Sequence, residues 1–267
     1  MMQFRTIVDI PEPTFCIEPQ EQMLFVGSCF ADNIGKRFVE EKFRATVNPF
    51  GVMYNPASVL HTVERCDVSP RVALFTLGTN RVYILKETGE IVDNCQKRPQ
   101  RLFREEDLSV WQCCGYLQQA VDILKGRNPD VHVLVTVSPI RYAKYGYHGS
   151  QLSKATLLLA ADMLVKANPC CSYFPAYEIV NDELRDYRFY SEDMLHPSAQ
   201  AVEYIWERFS EAYFSPSAKH FLEEWRPVKE ALGHKPFHPE SDEYKAFMER
   251  TRHKISLLKQ KYPLLEV

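Results

Sequence analysis

Two potential nucleophiles, Ser28 and Cys29, stand side by side in the stretch "LFVGSCFA" at residues 24–31. They follow an apolar run that ends in Gly27, which is the pattern of a buried strand. The amphipathic stretch after them predicts a surface helix. Either Ser28 only caps this helix, or one of the two side chains attacks a substrate at the point where the strand turns into the helix.

The stretch "SEDMLHPS" at residues 191–198 holds the partners that a nucleophile needs. A carboxylate at Asp193 can accept a hydrogen bond from the Nδ1 of His196, which fixes the tautomer and stabilises the cation that forms when Nε2 takes a proton. A free serine is a poor nucleophile without such a base. The pattern therefore predicts Ser28 as nucleophile, His196 as base and Asp193 as the group that orients it. Cys29 stays an alternative nucleophile, because a helix N-terminus can lower the pKa of a thiol.

Strands that alternate with long amphipathic stretches predict how these residues meet. Such alternation is typical of a parallel sheet covered by helices on both faces, with ligands outside the carboxyl ends of the strands. The predicted strands are 23–27, 71–80, 131–139 and 171–180, and the predicted helices are 31–43, 105–129, 150–169 and 197–214. We therefore expect the residues that follow the strands to gather at one edge of the sheet.

Two further segments complete the predicted organisation. Residues 81–87 and the run "IVDNC" flank the turn residues Thr88-Gly89, which predicts an antiparallel hairpin, inserted at about residues 71–95 of a catalytic domain spanning 1–214. Residues 215–267 are charged, punctuated by proline and mainly helical in pattern. We expect them to form an extension that packs on the core or on the second subunit of a homodimer.

Composition excludes several classes of protein. Hydrophobic residues make up 45% of the 267 residues and charged residues 25%, which predicts a packed core. The net charge is −3 and no basic block occurs, so we expect no nucleic-acid partner. There is no apolar run of the roughly 18–20 residues that a membrane span needs, and no signal-peptide pattern, so we expect a cytoplasmic protein without a membrane partner. Its eight cysteines then remain reduced thiols, and no C-x-x-C spacing points to a metal site.

Several longer motifs occur in order along the chain. They are "GSCFA" at 27–31, "NPFGVMYNP" at 48–56, "FTLGT" at 75–79, "VSPIR" at 137–141 and the segment 173–198. Over about residues 20–230 the chain resembles the GSCFA domain family, whose domains resemble the SGNH or GDSL-like hydrolases. The resemblance implies a three-layer α/β/α, flavodoxin-like parallel sheet. It also implies esterase or acyltransferase activity on a small ester or O-acylated molecule, without a cofactor.

The same resemblance implies an oxyanion hole. In the superfamily it consists of the backbone N–H of the nucleophile, here Ser28, a loop glycine that Gly51 matches, and an asparagine. Asn80 in "LGTN" and Asn94 in "VDNCQKRP" are equally good matches for that asparagine. Arg141 in "VSPIR" is a residue that could hold an anionic or polar group of the substrate.

Two departures from the family pattern keep other functions open. Gln96 and Tyr142 occupy positions where we expect histidine in this family. They favour a binding module that keeps the fold without turnover. A third hypothesis is a metal-dependent phosphoesterase in which Asp193 and His196 are metal ligands.

Overall fold

The strand Gln22–Gly27 directs alternate side chains into two separate cores. Met23 and Phe25 pack in one hydrophobic cluster, and Leu24 and Val26 pack in the other. A strand that is buried on both faces belongs inside a sheet with helices on each side. The computed structural model, which describes residues 5–93, 95 and 98–267, has this arrangement.

The central sheet has five parallel strands in the order β2-β1-β3-β7-β8, and a separate three-stranded antiparallel sheet has the order β5-β4-β6. The strands are β1 Gln22–Gly27, β2 Arg44–Val47, β3 Val72–Leu77, β4 Arg81–Leu85, β5 Ile91–Val92, β6 Phe103–Asp107, β7 His132–Val137 and β8 Cys171–Tyr173. The helices are α1 Cys29–Glu40, α2 Pro56–Arg65, α3 Val110–Arg127, α4 Gly146–Ala167, α5 Ala176–Glu178, α6 Ala199–Tyr213, α7 Pro216–Gly233 and α8 Asp242–Lys261.

Helices cover both faces of the central sheet. Helices α1 and α6 share one core with α7 and α8, whereas α2, α3 and α4 share the other core with the antiparallel sheet. The helices α1, α2, α3, α4 and α6 bury apolar residues together with those of the sheet, which is the arrangement that the alternating pattern predicts. The predicted three-layer α/β/α class is confirmed.

The predicted antiparallel hairpin is confirmed, since β4 pairs with β5, but its predicted start at residue 71 is wrong. Strand β3, within the predicted insertion of residues 71–95, pairs in parallel with β1 and β7 and is the centre of the main sheet. The antiparallel sheet begins only at β4. Its third strand, β6, overlaps the start of the helix predicted at 105–129. Strand β6 reads "FREED" and buries only Phe103, so it lacks the alternating apolar pattern of a typical strand. We call β4, β5 and β6 the inserted sheet.

The predicted strand at 171–180 is also too long. Only β8 is extended, and the chain then continues into α5 and a π-helical turn at Ile179–Leu184. Ile179 and Val180 are buried in this turn, so the apolar run that predicted a strand belongs to a buried helical segment. Short apolar runs do not distinguish these two structures.

The last fifth of the chain forms two helices that pack on the core. Phe221 and Trp225 of α7 and Tyr262 after α8 join the cluster that contains Phe43. The indole Nε1 of Trp225 donates a hydrogen bond to the Glu40 carbonyl oxygen at 3.2 Å. This extension therefore covers one edge of the domain that holds the sheet.

Within the described residues, no helix has both the length and the apolar character needed to cross a bilayer.

Gly27, the last residue of β1, allows a close approach that no other residue can match. Its φ is +144°, and a Cβ there would overlap the carbonyl oxygen of Thr76 on β3. We predict that Gly27→Ala destabilises the fold by about 3 kcal/mol or more, through overlap and backbone strain. Urea unfolding followed by circular dichroism measures this free energy.

Gly115 provides the matched control, since it lies inside α3 with nothing within 4 Å of the added Cβ. Gly115→Ala should stabilise the protein by about 0.5–1 kcal/mol, because alanine loses less backbone entropy in a helix. Equal effects of the two substitutions would contradict the close contact at Gly27.

Candidate active site

The turn after β1 lies where the chain changes direction across the sheet. From β1 the chain passes through α1 to β2 on one side, and then through α2 to β3 on the other side. In open α/β sheets, the crevice at the carboxyl end of such a switch point is where ligands bind. The "GSCFA" motif therefore occupies the position in the fold that is best suited to a ligand site.

Ser28 is fully buried at this turn. It is the N-cap of α1, and its Oγ accepts a hydrogen bond from the Phe30 N–H at 3.2 Å. The same Oγ is 3.0 Å from the Oγ1 of Thr76, which also accepts a hydrogen bond from the Ser28 N–H at 2.9 Å. The hydroxyl is thus engaged by the helix and by β3, and the attack by Ser28 stays a prediction.

Cys29, by contrast, lines a cleft together with His196. Cys29 is the first residue of α1, is half-buried, and faces a cleft of about 540 Å³ between α1 and the start of α6. The lining residues are Cys29, Asn33, Lys36, Arg37, Glu40, Ser191, His196, Pro197, Ala199, Val202, Glu203 and Trp206. Of the two neighbouring nucleophiles, the thiol is therefore the one that shares an open cleft with the imidazole.

The Cys29 thiol keeps its proton at neutral pH. Burial raises its pKa above the ordinary value of 9.0, a hydrogen bond with Tyr54 opposes that increase, and the nearby carboxylate of Asp32 adds to it. The expected lowering of the pKa by the helix N-terminus is thus outweighed by desolvation. A reaction at this sulfur needs a base to remove the proton.

Asp193 and His196 form the pair that their spacing predicts. The His196 Nδ1 lies 2.6 Å from the Asp193 Oδ2, while the Asp193 Oδ1 accepts the backbone N–H groups of Leu195 at 2.8 Å and His196 at 3.0 Å. These backbone bonds, together with the imidazole, lower the pKa of Asp193 to about 2. An ionised Asp193 requires a hydrogen on Nδ1, which leaves Nε2 of a neutral His196 as a proton acceptor.

Residues 190–197, which we call the His196 loop, close on themselves. Tyr190 and Pro197 form an isolated antiparallel bridge, and the Ser191 N–H donates to the His196 carbonyl oxygen at 2.7 Å. Ser198 then caps α6 by accepting the Ala201 N–H. The loop is a compact turn that ends at a helix start, so His196 projects from a defined backbone.

Two of the predicted oxyanion-hole residues, Gly51 and Asn80, have hydrogen-bond partners within the fold. Gly51 lies in an exposed turn with φ +93°, and its N–H donates to the Asn48 carbonyl oxygen at 2.8 Å. Asn80 is buried, and its Nδ2 donates to the Leu108 carbonyl oxygen at 2.7 Å. Neither residue lines the cleft of Cys29 and His196. Asn94 lies outside the described residues.

Arg141 contacts the His196 loop. Its Nη1 donates to the carbonyl oxygen of Met194 at 3.0 Å, and its backbone N–H donates to that of Leu195 at 3.0 Å. It does not line the cleft, although the sequence suggested a role in substrate binding.

Lys154, which no sequence motif indicated, is a buried lysine beneath this edge of the sheet. Its Nζ donates to the carbonyl oxygens of Gly78 and Ser138, each at 2.7 Å, and so joins the segments that follow β3 and β7. Burial lowers its pKa to about 7. Its burial could have been predicted from the sequence, because Lys154 has the helical spacing of the buried residues Ser150 and Leu157 on α4.

Tyr142 covers the same edge. Its hydroxyl is buried against the Cα of Gly78, where any Cβ would overlap it, and it has no hydrogen-bond partner among the described residues. Its ring packs edge-on against Tyr54 at 6.3 Å between centroids, and Tyr54 in turn lies close enough to Cys29 to lower the pKa of its thiol. Tyr142, one of the two residues that depart from the family pattern, is therefore part of the packing behind Cys29.

Comparison with family models identifies the class to which the chain belongs. The model described as "GSCFA family" matches residues 22–69 and 68–209. The model described as "GSCFA domain protein, C-terminal domain" matches residues 225–267. The chain is a member of the GSCFA family.

Solved structures with a similar arrangement have low sequence identity. A GDSL-like lipase from Bacteroides thetaiotaomicron is 13% identical, with a TM-score of 0.46, 76% of this chain covered and 88% of the lipase. A catalytic mutant of an acetylxylan esterase from Geobacillus stearothermophilus is 11% identical, with a TM-score of 0.48, 75% of this chain covered and 98% of the esterase. At these identities their substrates say nothing about the substrate of this chain. Comparison with curated proteins finds no match.

We predict that Cys29 reacts slowly with iodoacetamide at neutral pH and that its rate still rises above pH 9, because its pKa is raised above 9.0. Mass spectrometry of the Cys29 peptide over a pH series measures the rate, with the exposed Cys16 as an internal reference for reagent access. A rate that levels off near neutral pH would show a thiolate already formed beside His196, contrary to this prediction.

Proposed function

We propose that this protein is a hydrolase or acyltransferase that acts on a small ester or O-acyl group, with Cys29 as nucleophile, His196 as base and Asp193 as the residue that orients the imidazole. One observation carries the proposal: a thiol at a helix start and an imidazole held by a carboxylate line the same cleft. The order of these residues along the chain agrees with the resemblance to SGNH hydrolases. The proposal replaces Ser28 by its neighbour.

The geometry suggests the following reaction. Nε2 of His196 removes the thiol proton while Sγ of Cys29 attacks the carbonyl carbon of the ester. The imidazolium is stabilised by Asp193 and returns its proton to the departing alkoxide, which leaves a thioester on Cys29. Water, or the hydroxyl of an acceptor, then attacks the thioester and gives its proton to His196. Release of the acid or the new ester returns the thiol to Cys29.

The helix start supplies a donor for the oxyanion of the tetrahedral intermediate. The N–H of Cys29 belongs to the first turn of α1 and bonds no other residue of the described chain, whereas the Phe30 N–H is used by Ser28. The partial positive charge at a helix N-terminus favours an anion there. One such donor typically lowers the barrier by about 2.7–4 kcal/mol. Asn33, one turn further along α1, offers a side-chain amide in the same cleft wall.

The cleft favours a polar substrate over a long-chain lipid ester. Charged residues of α1 and α6, including Lys36, Arg37 and Glu203, line it beside the apolar Val202 and Trp206. A second cleft of about 550 Å³ adjoins it, since Arg37, Glu203 and Trp206 line both. A short acyl group at Cys29 with a polar alcohol part extending toward Arg37 fits this lining.

The metal-dependent alternative needs more ligands than the pair provides. In the described ranges, no group of three or more His, Cys, Asp or Glu side chains gathers in an arrangement that could hold a metal ion. Asp193 also directs its oxygens to its own loop, where it accepts three hydrogen bonds. The binding-module alternative keeps the fold and the cleft. Acylation by p-nitrophenyl acetate distinguishes it from the enzyme.

We predict that p-nitrophenyl acetate transfers one acetyl group to Cys29. Intact-mass spectrometry should show a single acetyl adduct, and peptide mapping should place it on Cys29. Cys29→Ala should abolish the adduct, and His196→Ala should slow its formation by about 10²–10⁴-fold because the general base is missing. A wild-type protein that never acylates, yet binds ligands in this cleft, would contradict the enzyme and favour the binding module.

Ser28→Ala is the matched control at the neighbouring position. It should still form the acetyl adduct, while the free energy of unfolding falls by about 0.5–2 kcal/mol because α1 loses its cap. Acylation that persists in Cys29→Ala and disappears in Ser28→Ala would assign the attack to Ser28 instead, after a rearrangement of the turn.

A further inference from the structure

Two peptide units of the His196 loop each accept a hydrogen bond from Arg141 at the carbonyl and donate one to Asp193 from the N–H. In the unit that joins Met194 to Leu195, the carbonyl accepts from the Arg141 Nη1 and the N–H donates to Asp193. In the unit that joins Leu195 to His196, the carbonyl accepts from the Arg141 backbone N–H and the N–H donates to Asp193. Arg141 and Asp193 thus fix the orientation of the same two peptide planes.

This arrangement couples Arg141 to the imidazole. The two N–H groups hold the Oδ1 of Asp193, and its Oδ2 is then aimed at the Nδ1 of His196. Met194, the residue after Asp193, has a left-handed backbone with φ +59°. A non-glycine residue keeps this conformation only when its surroundings impose it. If the carbonyl of Met194 loses its donor, this peptide plane is free to turn and its N–H leaves Asp193.

Aromatic rings fix the guanidinium of Arg141 in place. Its Cζ lies 4.1 Å from the ring centroid of Tyr147 and 5.4 Å from that of Tyr190, which begins the His196 loop. Cation–π contacts of this kind suit the flat guanidinium better than the ammonium of lysine. Both rings belong to segments at the carboxyl edge of the sheet, so the side chain is directed to the loop.

The segment that follows Arg141 is itself attached to the inserted sheet. The guanidinium of Arg81 lies 3.9 Å from the ring centroid of Tyr145, and Lys144 forms an ion pair with Glu105 at 2.9 Å. Arg81 and Glu105 belong to β4 and β6. Arg141 therefore acts from a supported segment, and it can impose an orientation on the loop.

We infer that Arg141 is a positioning residue, which holds the peptide planes that keep Asp193 aligned with Nδ1 of His196. The inference rests on the proposed function for its kinetic consequence, but the alignment itself can be measured without turnover. It assigns to Arg141 a role different from the substrate contact that the sequence suggested.

The experiment compares Arg141→Ala and Arg141→Lys with the wild type. Arg188→Ala is the matched control, since Arg188 is an exposed arginine that contacts Asp186 and Phe189 outside the His196 loop. Long-range ¹⁵N NMR of the imidazoles at mildly alkaline pH, where an ordinary histidine is neutral, reports which ring nitrogen of His196 carries the hydrogen. The same proteins are assayed for steady-state hydrolysis of p-nitrophenyl acetate, and circular dichroism verifies that they fold.

In the wild type and in Arg188→Ala, we expect the hydrogen of His196 on Nδ1, with kcat of the control within about twofold. Arg141→Ala should move a measurable share of the hydrogen to Nε2 and lower kcat by about tenfold to 10²-fold at nearly constant KM, because the base is misaligned. Arg141→Lys should fall between them, since lysine can still reach the Met194 carbonyl oxygen but does not stack equally well on Tyr147.

An unchanged tautomer in Arg141→Ala and Arg141→Lys would overturn the inference, as would a higher KM at constant kcat, which would mark a substrate contact. Failure of the proposed function looks different. In that case no variant turns over the ester, while the tautomer of His196 still responds to Arg141.

Discussion

The turn from β1 into α1 depends on hydrogen bonds to a single residue of the neighbouring strand, Thr76. Its Oγ1 bonds both the N–H and the hydroxyl of Ser28, and its carbonyl oxygen accepts the same N–H at 3.0 Å. Gly27 permits this approach because it has no Cβ. With Ser28 held by β3, α1 starts at Cys29 and directs this residue into the cleft. The position of the candidate nucleophile thus follows from the pairing of β1 with β3.

The second half of the candidate site is built locally and then placed by the fold. Asp193 and His196 need only one turn of chain to meet, and their hydrogen bond adds to a loop that is already closed by backbone bonds. The loop reaches α1 because α6, which follows it, packs on the same face of the sheet as α1. Phe38 of α1 contacts Trp206 and Phe209 of α6, with ring centroids 4.8 and 5.7 Å apart. This apolar contact holds together α1 and α6, which both line the cleft.

Buried polar groups beneath the site hold in place the segments that follow the strands at this edge of the sheet. Lys154 joins the segments after β3 and β7, and Ser153 beside it accepts the Asn80 N–H at 2.9 Å. Asn80 is thereby fixed toward Leu108 and away from the cleft. Asn80 is one of the two asparagines that the resemblance offers for the oxyanion hole, and its side-chain amide is bound to Leu108 in this structure. Satisfying buried polar groups has decided its orientation, because an unpaired buried donor is costly.

The sequence by itself determined the alternation of buried strands and amphipathic helices, and with it the class of fold, because both depend on local spacing of apolar residues. It also determined the Asp193–His196 pair, whose partners are three residues apart. Tertiary structure alone decided that β6, a charged run, is a strand. Its pairing with β4 supplies the stabilisation that an alternating apolar pattern would otherwise provide.

Tertiary structure also decided the different surroundings of Ser28 and Cys29, since Ser28 is buried and Cys29 lines the cleft. Successive residues at a helix start point about 100° apart, so a single residue separates a buried cap from a side chain in the cleft. Which of them lines the cleft with His196 depends on contacts with α6 and with Thr76 of β3, which is 48 residues from Ser28 along the chain. Neither residue type nor spacing contains that information, because it arises only when distant segments pack together.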